Sequence, residues 1–323
     1  MNPTSISRRA TVSALAALSI ASLLATLGQT GAAQTHTAQA MIAQTKTAQT
    51  MAATSGTLEI NGAKIFYTSQ GSGEPMLLIH GYPLSGELFK DNRAALSRRF
   101  RVVTMDLRGF GKSAAPDSKG SIALYAQDAL ALMDTLKIQK AVVGGMSMGG
   151  MVSFEIYRRA PERVAGLVLI STSHLPPGGV SEVATWRATG QQAKEAGQAS
   201  LVPSLLPRML TGATRTRKPE LGSFLGDLMK QSSVYGWLGG GEALATRPDS
   251  TPTLATVKVP TLIVVGLEDN LLPVEVSKMI NAGIAGSTLT VIPGAGHAAI
   301  LEAAPIANRA ILAWANKSLG MSK

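Results

Sequence analysis

Six short apolar runs constrain this chain more than any other feature. They cover residues 76–79, 102–105, 141–143, 167–170, 262–265 and 289–291, and Gly, Asp, Ser or Pro closes each within a residue or two. Runs of three or four residues, apolar except for Thr104 and Thr290, are too short for helices and mostly lack the alternation of a strand with one wet face. They read as strands buried on both sides, the mark of a parallel sheet. Helical periodicity fills the gaps at 121–136, 148–159, 274–282 and 305–318. Ahead of them, 58–60 and 64–68 alternate around Asn61-Gly62, a strong hairpin signal that predicts two antiparallel edge strands. The expected class is α/β, a mostly parallel sheet with helices on both faces.

One stretch breaks the rhythm. Residues 174–251 contain no convincing strand and many Gly and Pro, with helices expected at 180–196 and 221–229. An insertion between two parallel strands sits over their carboxyl ends, so this segment is expected to be an inserted helical cap.

With 45% hydrophobic and 15% charged residues, the chain can bury a large core and is not a disordered protein. It has no cysteine, which excludes disulfides, thiolate metal sites and a cysteine nucleophile. The net charge of +10 raises nucleic acid as a partner, but the basic residues are scattered. The densest patch, Arg215, Arg217 and Lys218, lacks the interleaved aromatics on which bases stack. The charge is read as a solubility property, with no nucleic-acid partner.

The first 33 residues have the layout of a signal peptide. Arg8 and Arg9 precede an apolar run at 12–27, and Gly31, Ala32 and Ala33 follow it. The paired arginines resemble a twin-arginine export signal, from which Thr11 departs in place of the usual hydrophobic residue, so that general secretory export is the alternative. The run is short of the ~20 residues that span a bilayer, so cleavage near Ala33 is expected, with no stable membrane span after processing and a periplasmic or secreted product. Residues 34–55 repeat TAQ-like units without an acidic or aromatic side chain and are expected to be a low-complexity linker. The folded domain is expected at 56–323.

The chemistry concentrates where the run at 141–143 meets Gly144-Gly145-Met146-Ser147-Met148-Gly149-Gly150 and a helical pattern begins. A serine in a sharp strand-to-helix turn needs neighbours without side chains, which the G-x-S-x-G spacing supplies through Gly145 and Gly149. The turn exposes the Ser147 hydroxyl beside a helix amino end, where developing negative charge is stabilised. A serine nucleophile needs a base, and the chain has four histidines. His36 falls in the linker. His80 ends a strand and is expected to brace a turn. His174 opens the insertion and is expected as a substrate contact. His297 lies in the loop Pro293-Gly294-Ala295-Gly296-His297 after the last strand, the place for a side chain that must reach a site. In the Ser, Asp/Glu, His chain order that goes with a strand–elbow–helix nucleophile, the orienting acid follows a strand between Ser147 and His297. Asp269 satisfies this, with the adjacent Glu268 as the alternative.

Together with His80-Gly81 and the segment from Asp106 to Ser113, these residues carry a resemblance. From residue 76 to its end the chain resembles the α/β-hydrolase superfamily, and within it is similar to small bacterial esterases, enol-lactonases and cofactor-free haloperoxidase-like enzymes. The resemblance implies an oxyanion hole made by the backbone N–H groups of Tyr82 and Met148. Haloalkane dehalogenases and epoxide hydrolases carry aspartate where this chain has Ser147, and are disfavoured. Gly109-Phe110-Gly111-Lys112-Ser113-Ala114 matches the G-x-G-x-x-A dinucleotide fingerprint, but Pro116 blocks the helix it would open. No cofactor and no metal are expected.

The expected function is therefore cleavage of a small-molecule carboxylic ester or lactone through an acyl-enzyme on Ser147, with Asp269 and His297 completing the triad. Tyr82, Met146, His174 and Trp186 are the expected substrate contacts. Two alternatives use the same residues: a ligand-binding or sensor protein with slow turnover, and a perhydrolase or carbon–carbon hydrolase.

Overall fold

The computed structural model describes residues 53–320. The expected signal segment lies outside the described residues, as does the expected linker up to residue 52. Eight strands form one sheet: β1 (Thr54–Ile60), β2 (Ala63–Gln70), β3 (Glu74–Ile79), β4 (Phe100–Met105), β5 (Ala141–Met146), β6 (Val164–Ile170), β7 (Thr261–Gly266) and β8 (Thr288–Ile292). Strand β1 starts at Thr54, so the folded chain begins two residues before the expected boundary.

The order across the sheet is β1-β2-β4-β3-β5-β6-β7-β8. Strands β1 and β2 are antiparallel, as are β2 and β4, and every other pair is parallel. Ile60 pairs with Ala63 across Asn61 and Gly62, whose φ values of 47° and 74° are the two left-handed positions of a tight hairpin turn. The central strands β5 and β7 are buried at every position, which is why their sequences run apolar without alternation.

The flanking helices are α1 (Lys90–Leu96), α2 (Ile122–Thr135) and α3 (Met148–Arg159) in the first half. Between β6 and β7 come α4 (Val180–Ala196), α5 (Val202–Met209), α6 (Gly212–Arg217), α7 (Pro219–Gln231), α8 (Val234–Ala245) and α9 (Thr251–Leu254). The chain closes with α10 (Val274–Gly283), α11 (Ala299–Glu302) and α12 (Ala304–Ser318). Helix α1 packs against α12 and α2 against α3, covering the sheet on both faces. No helix of the described residues is long and apolar enough to cross a membrane.

The cap is fastened to the sheet domain by α8. A Cβ on Gly236 would meet the backbone of Gly109, and one on Gly240 would meet the rings of Tyr82 and Phe110. On its other side α8 carries α4, where a Cβ on Gly190 would stand 3.0 Å from the Trp237 carbonyl oxygen. Ser233 adds a hydrogen bond from its hydroxyl to the Gly109 carbonyl at 2.9 Å. Backbones this close leave no room for a sliding interface.

Candidate active site

The parallel register brings the carboxyl ends of the central strands to one edge. Ile79 pairs with Gly145, Met146 with Ile170, Ile170 with Val264 and Gly266 with Ile292. The residues that follow these ends are the ones singled out by sequence: His80, Ser147, Asp269 and His297.

Ser147 sits between β5 and α3 with φ 55° and ψ −119°. A non-glycine residue at positive φ is costly and persists only where its surroundings hold it. Three contacts do so. The Ser147 amide donates to the Ile170 carbonyl at 2.8 Å, the Thr172 hydroxyl donates to the Ser147 carbonyl at 2.7 Å, and the Gly150 amide donates to the same carbonyl at 2.9 Å. Gly145 and Gly149 are required sterically, because a Cβ on Gly145 would collide with the Gly149 backbone and one on Gly149 with the Ile79 carbonyl. The surrounding side chains are buried, while Ser147 itself is partly exposed.

Asp269 and His297 come together. His297 Nδ1 lies 2.9 Å from Asp269 Oδ2 and 3.1 Å from Oδ1, and both side chains are fully buried. Asp269 Oδ1 also accepts the amides of Leu271 at 3.0 Å and Leu272 at 2.9 Å, which fix the carboxylate. With Nδ1 donating to a carboxylate, the lone pair resides on Nε2. That atom is buried and has no hydrogen-bond partner among the described residues. Glu268 is exposed and faces a small cleft that it shares with Arg208 and Arg215.

Gly81 lies against Ser147: a Cβ there would be 3.0 Å from Ser147 Cβ. The turn it begins is closed by the Leu84 amide donating to the Gly81 carbonyl at 2.9 Å. The amides of Tyr82 and Met148 donate no hydrogen bond within the described residues, and Met148 is the first residue of α3, whose N–H has no intrahelical acceptor.

A cavity of about 600 Å³ reaches Ser147 from the cap. Tyr82 and Trp186 line it, with ring centroids 6.0 Å apart in an edge-to-face arrangement. The Tyr82 hydroxyl is engaged by the Trp237 carbonyl at 3.1 Å, and burial raises its pKa far above the ordinary value, so it serves as a neutral wall. Met146 and His174, the other two expected substrate contacts, are buried outside this lining. Met146 ends β5 with its sulfur toward Gly81, and His174 is packed at the base of the cap, where burial lowers its pKa. The apolar lining includes Met151, Leu205, Met209 and Leu244 instead, none of which the sequence singled out as a contact. Arg247 also lines the cavity, but its guanidinium is spent on the carbonyls of Leu175, Pro176 and Leu244 and on Glu182 at 2.8 Å. A larger groove, about 760 Å³, lies by Glu74, Arg98 and Lys140 at the opposite edge of the sheet and contains none of these residues.

The dinucleotide-like segment is a structural turn. Asp106 accepts the amides of Gly86 at 2.7 Å and Lys112 at 2.8 Å, and Arg108 makes a bidentate pair with buried Asp128 at 2.7 Å. The next helix starts only at Ile122.

The comparison with known proteins agrees with this geometry. The family model described as alpha/beta hydrolase fold matches residues 74–304. The crystal structure of a thermophilic esterase from Thermogutta terrifontis superposes with a TM-score of 0.79 at 30% identity, covering 82% of this chain and 99% of that one. The 3-oxoadipate enol-lactonase 2 of Acinetobacter baylyi is 27% identical over 257 residues, 79% of this chain and 94% of its own. A bromoperoxidase from Bacillus anthracis superposes with a TM-score of 0.73 at 25% identity, covering 82% of this chain and all of that one.

Proposed function

The chain belongs to the α/β-hydrolase fold family, and on that premise we propose that it is a serine hydrolase acting on a carboxylic ester or lactone through an acyl-enzyme. One observation carries the reading: an imidazole whose Nδ1 is bonded to buried Asp269 and whose Nε2 has no partner among the described residues, in a site that also holds a serine at positive φ. His297 Nε2 takes the Ser147 proton as the hydroxyl oxygen attacks the acyl carbonyl, and Asp269 stabilises the imidazolium that results. The amides of Tyr82 and Met148 receive the oxyanion, aided by the amino end of α3. His297 returns the proton to the leaving alkoxide, then activates water to release the acid and restore Ser147. The apolar part of the cavity wall, which includes Tyr82, Trp186, Leu205, Met209 and Leu244, suits an apolar acyl group or ring.

Ser147→Ala tests the reading. Turnover of p-nitrophenyl acetate and labelling by a fluorophosphonate should both vanish, and surviving turnover refutes the mechanism. We place this activity outside the cytoplasm on the strength of residues 1–33. Fractionation of the native host checks it, and cytoplasmic retention of a variant carrying Arg8→Lys and Arg9→Lys identifies the twin-arginine route.

A further inference from the structure

Glu302 is a buried carboxylate that the proposed chemistry does not use. It ends α11 with 5% of its surface exposed, and no cation pairs with it among the described residues. A carboxylate removed from water must be compensated by donors, and here they come from two separate parts of the chain. Oε2 accepts the Gly296 amide at 2.7 Å. Oε1 accepts the Thr211 amide at 3.0 Å and the Thr211 hydroxyl at 2.6 Å. A parallel backbone bond joins the same two segments, since the Ala298 amide donates to the Met209 carbonyl at 2.9 Å. The residues on both sides of His297 are thus tied to residues 209–211 of the cap, one through Glu302 and one directly.

That cap segment is not remote from substrate. Helix α5 ends at Met209, and Leu205 and Met209 form part of the cavity wall that reaches Ser147. Packing at the joint is tight: a Cβ on Gly296 would stand 3.3 Å from both the Met209 carbonyl oxygen and the Thr211 nitrogen. A group pressing on α5 from inside the cavity cannot move Met209 without pulling on the histidine loop.

Resting on the serine-hydrolase reading, we propose that Glu302 is a positioning residue that couples occupancy of the α5 wall to the placement of His297. The acyl portion of the substrate is then selected in the chemical step as well as in binding. Substrates that fill the wall gain in kcat, because small displacements of a general base have large effects on rate. A purely structural staple would lower the rate on all substrates alike.

The experiment compares wild type, Glu302→Gln, Thr211→Val and Thr211→Ser on p-nitrophenyl acetate and p-nitrophenyl hexanoate. Glu302→Gln is expected to lower kcat on the hexanoate about tenfold, with kcat on the acetate changed less than about threefold and KM nearly constant. Thr211→Val should act in the same direction, and combining it with Glu302→Gln should add little, as expected for two members of one linkage. Thr211→Ser keeps both donors and should behave as wild type. Amide exchange at Gly296 and Ala298, measured without substrate, should accelerate in Glu302→Gln while melting of the whole protein is retained. Equal loss of kcat on both esters, or no loss in a folded variant, overturns the proposal. If Glu302→Gln does not fold, Thr211→Val decides by the same criteria. Failure of the serine-hydrolase reading registers separately, as turnover surviving Ser147→Ala.

Discussion

His80 Nε2 accepts the amide N–H of Leu107 at 2.9 Å, while its Nδ1 meets the Gly81 carbonyl at 2.9 Å. The two bonds demand a neutral ring with its proton on Nδ1, and a second proton would be directed at the Leu107 N–H. Burial accordingly lowers the pKa from 6.5 to about 4, against a smaller opposing effect of the Gly81 hydrogen bond. The folded state therefore binds fewer protons than the unfolded state between these two values. Stability from this residue is complete above 6.5 and is lost as the pH falls toward 4, by about 3 kcal/mol in all. His174, also lowered by burial, works in the same direction, while Asp106, raised by burial, works against it. Urea unfolding at about pH 7.5 and about pH 4.5 should show a drop in the wild type that is smaller in His80→Gln. Equal drops in the two proteins would refute the assignment.

The neighbouring carboxylates Glu268 and Asp269 should respond oppositely to the same change. Asp269 is 3% exposed and bonded to His297, whereas Glu268 is exposed. Asp269→Asn keeps the shape but offers His297 the wrong tautomer, and kcat should fall by roughly 10⁴. Glu268→Gln should stay within about twofold of wild type. Steady-state kinetics on one ester decides, and the reverse result would move the acid to Glu268.

Much of this was legible in the sequence, for physical reasons. Strands buried on both faces have to be apolar throughout, so β3 to β7 stand out, and the elbow around Ser147 imposes glycines at fixed spacing. Asp269 was legible only as a position after a strand, since Glu268 fits the same rule until side-chain direction is known. The cap was harder to read. Helix α8 carries Gly236, Gly239, Gly240 and Gly241, residues that count against a helix by propensity. They are there because Gly109, the backbone from Ser118 to Gly120, Tyr82, Phe110 and Trp186 approach too closely for side chains, a tertiary demand that leaves no local trace. Tyr82 and Trp186 line the cavity as expected, and the other two expected contacts lie outside its lining for a similar reason. Met146 and His174 flank the site in sequence, but the walls come from α4, α5 and α8, whose apolar residues look like ordinary cap core.

The contact of Gly236 with Gly109 gives a stability prediction. Gly236→Ala places a methyl group against backbone that has no rotamer to change, and should destabilise the protein by about 1–3 kcal/mol despite the better helix propensity of alanine. Gly222 on α7 is the control. The atom nearest its Cβ position is Leu206 Cδ2 at 3.1 Å, the end of a flexible side chain. Gly222→Ala should be neutral or stabilising by up to about 1 kcal/mol, the propensity gain. Denaturant midpoints of the two variants check the contrast, and equal effects would mean that α8 has room to shift.

Arg208 gives the last prediction. It lines both the cavity that reaches Ser147 and the small cleft beside Glu268, and no hydrogen bond or ion pair engages its guanidinium among the described residues. Arg247, by contrast, is saturated by three carbonyls and Glu182. Of the two arginines that line the cavity, only Arg208 would offer a free cation to a substrate with a carboxylate at the far end of its acyl chain. Because Arg208 is exposed, the attraction is screened, and Arg208→Gln should raise KM about two- to fivefold for a monoester of a dicarboxylic acid. KM for the neutral ester of equal length should not change, since no charge is lost to it. Raising the salt concentration should erase the difference between wild type and variant on the anionic ester. A KM increase of the same size on both esters would show that Arg208 contributes shape to the cavity and does not select for charge.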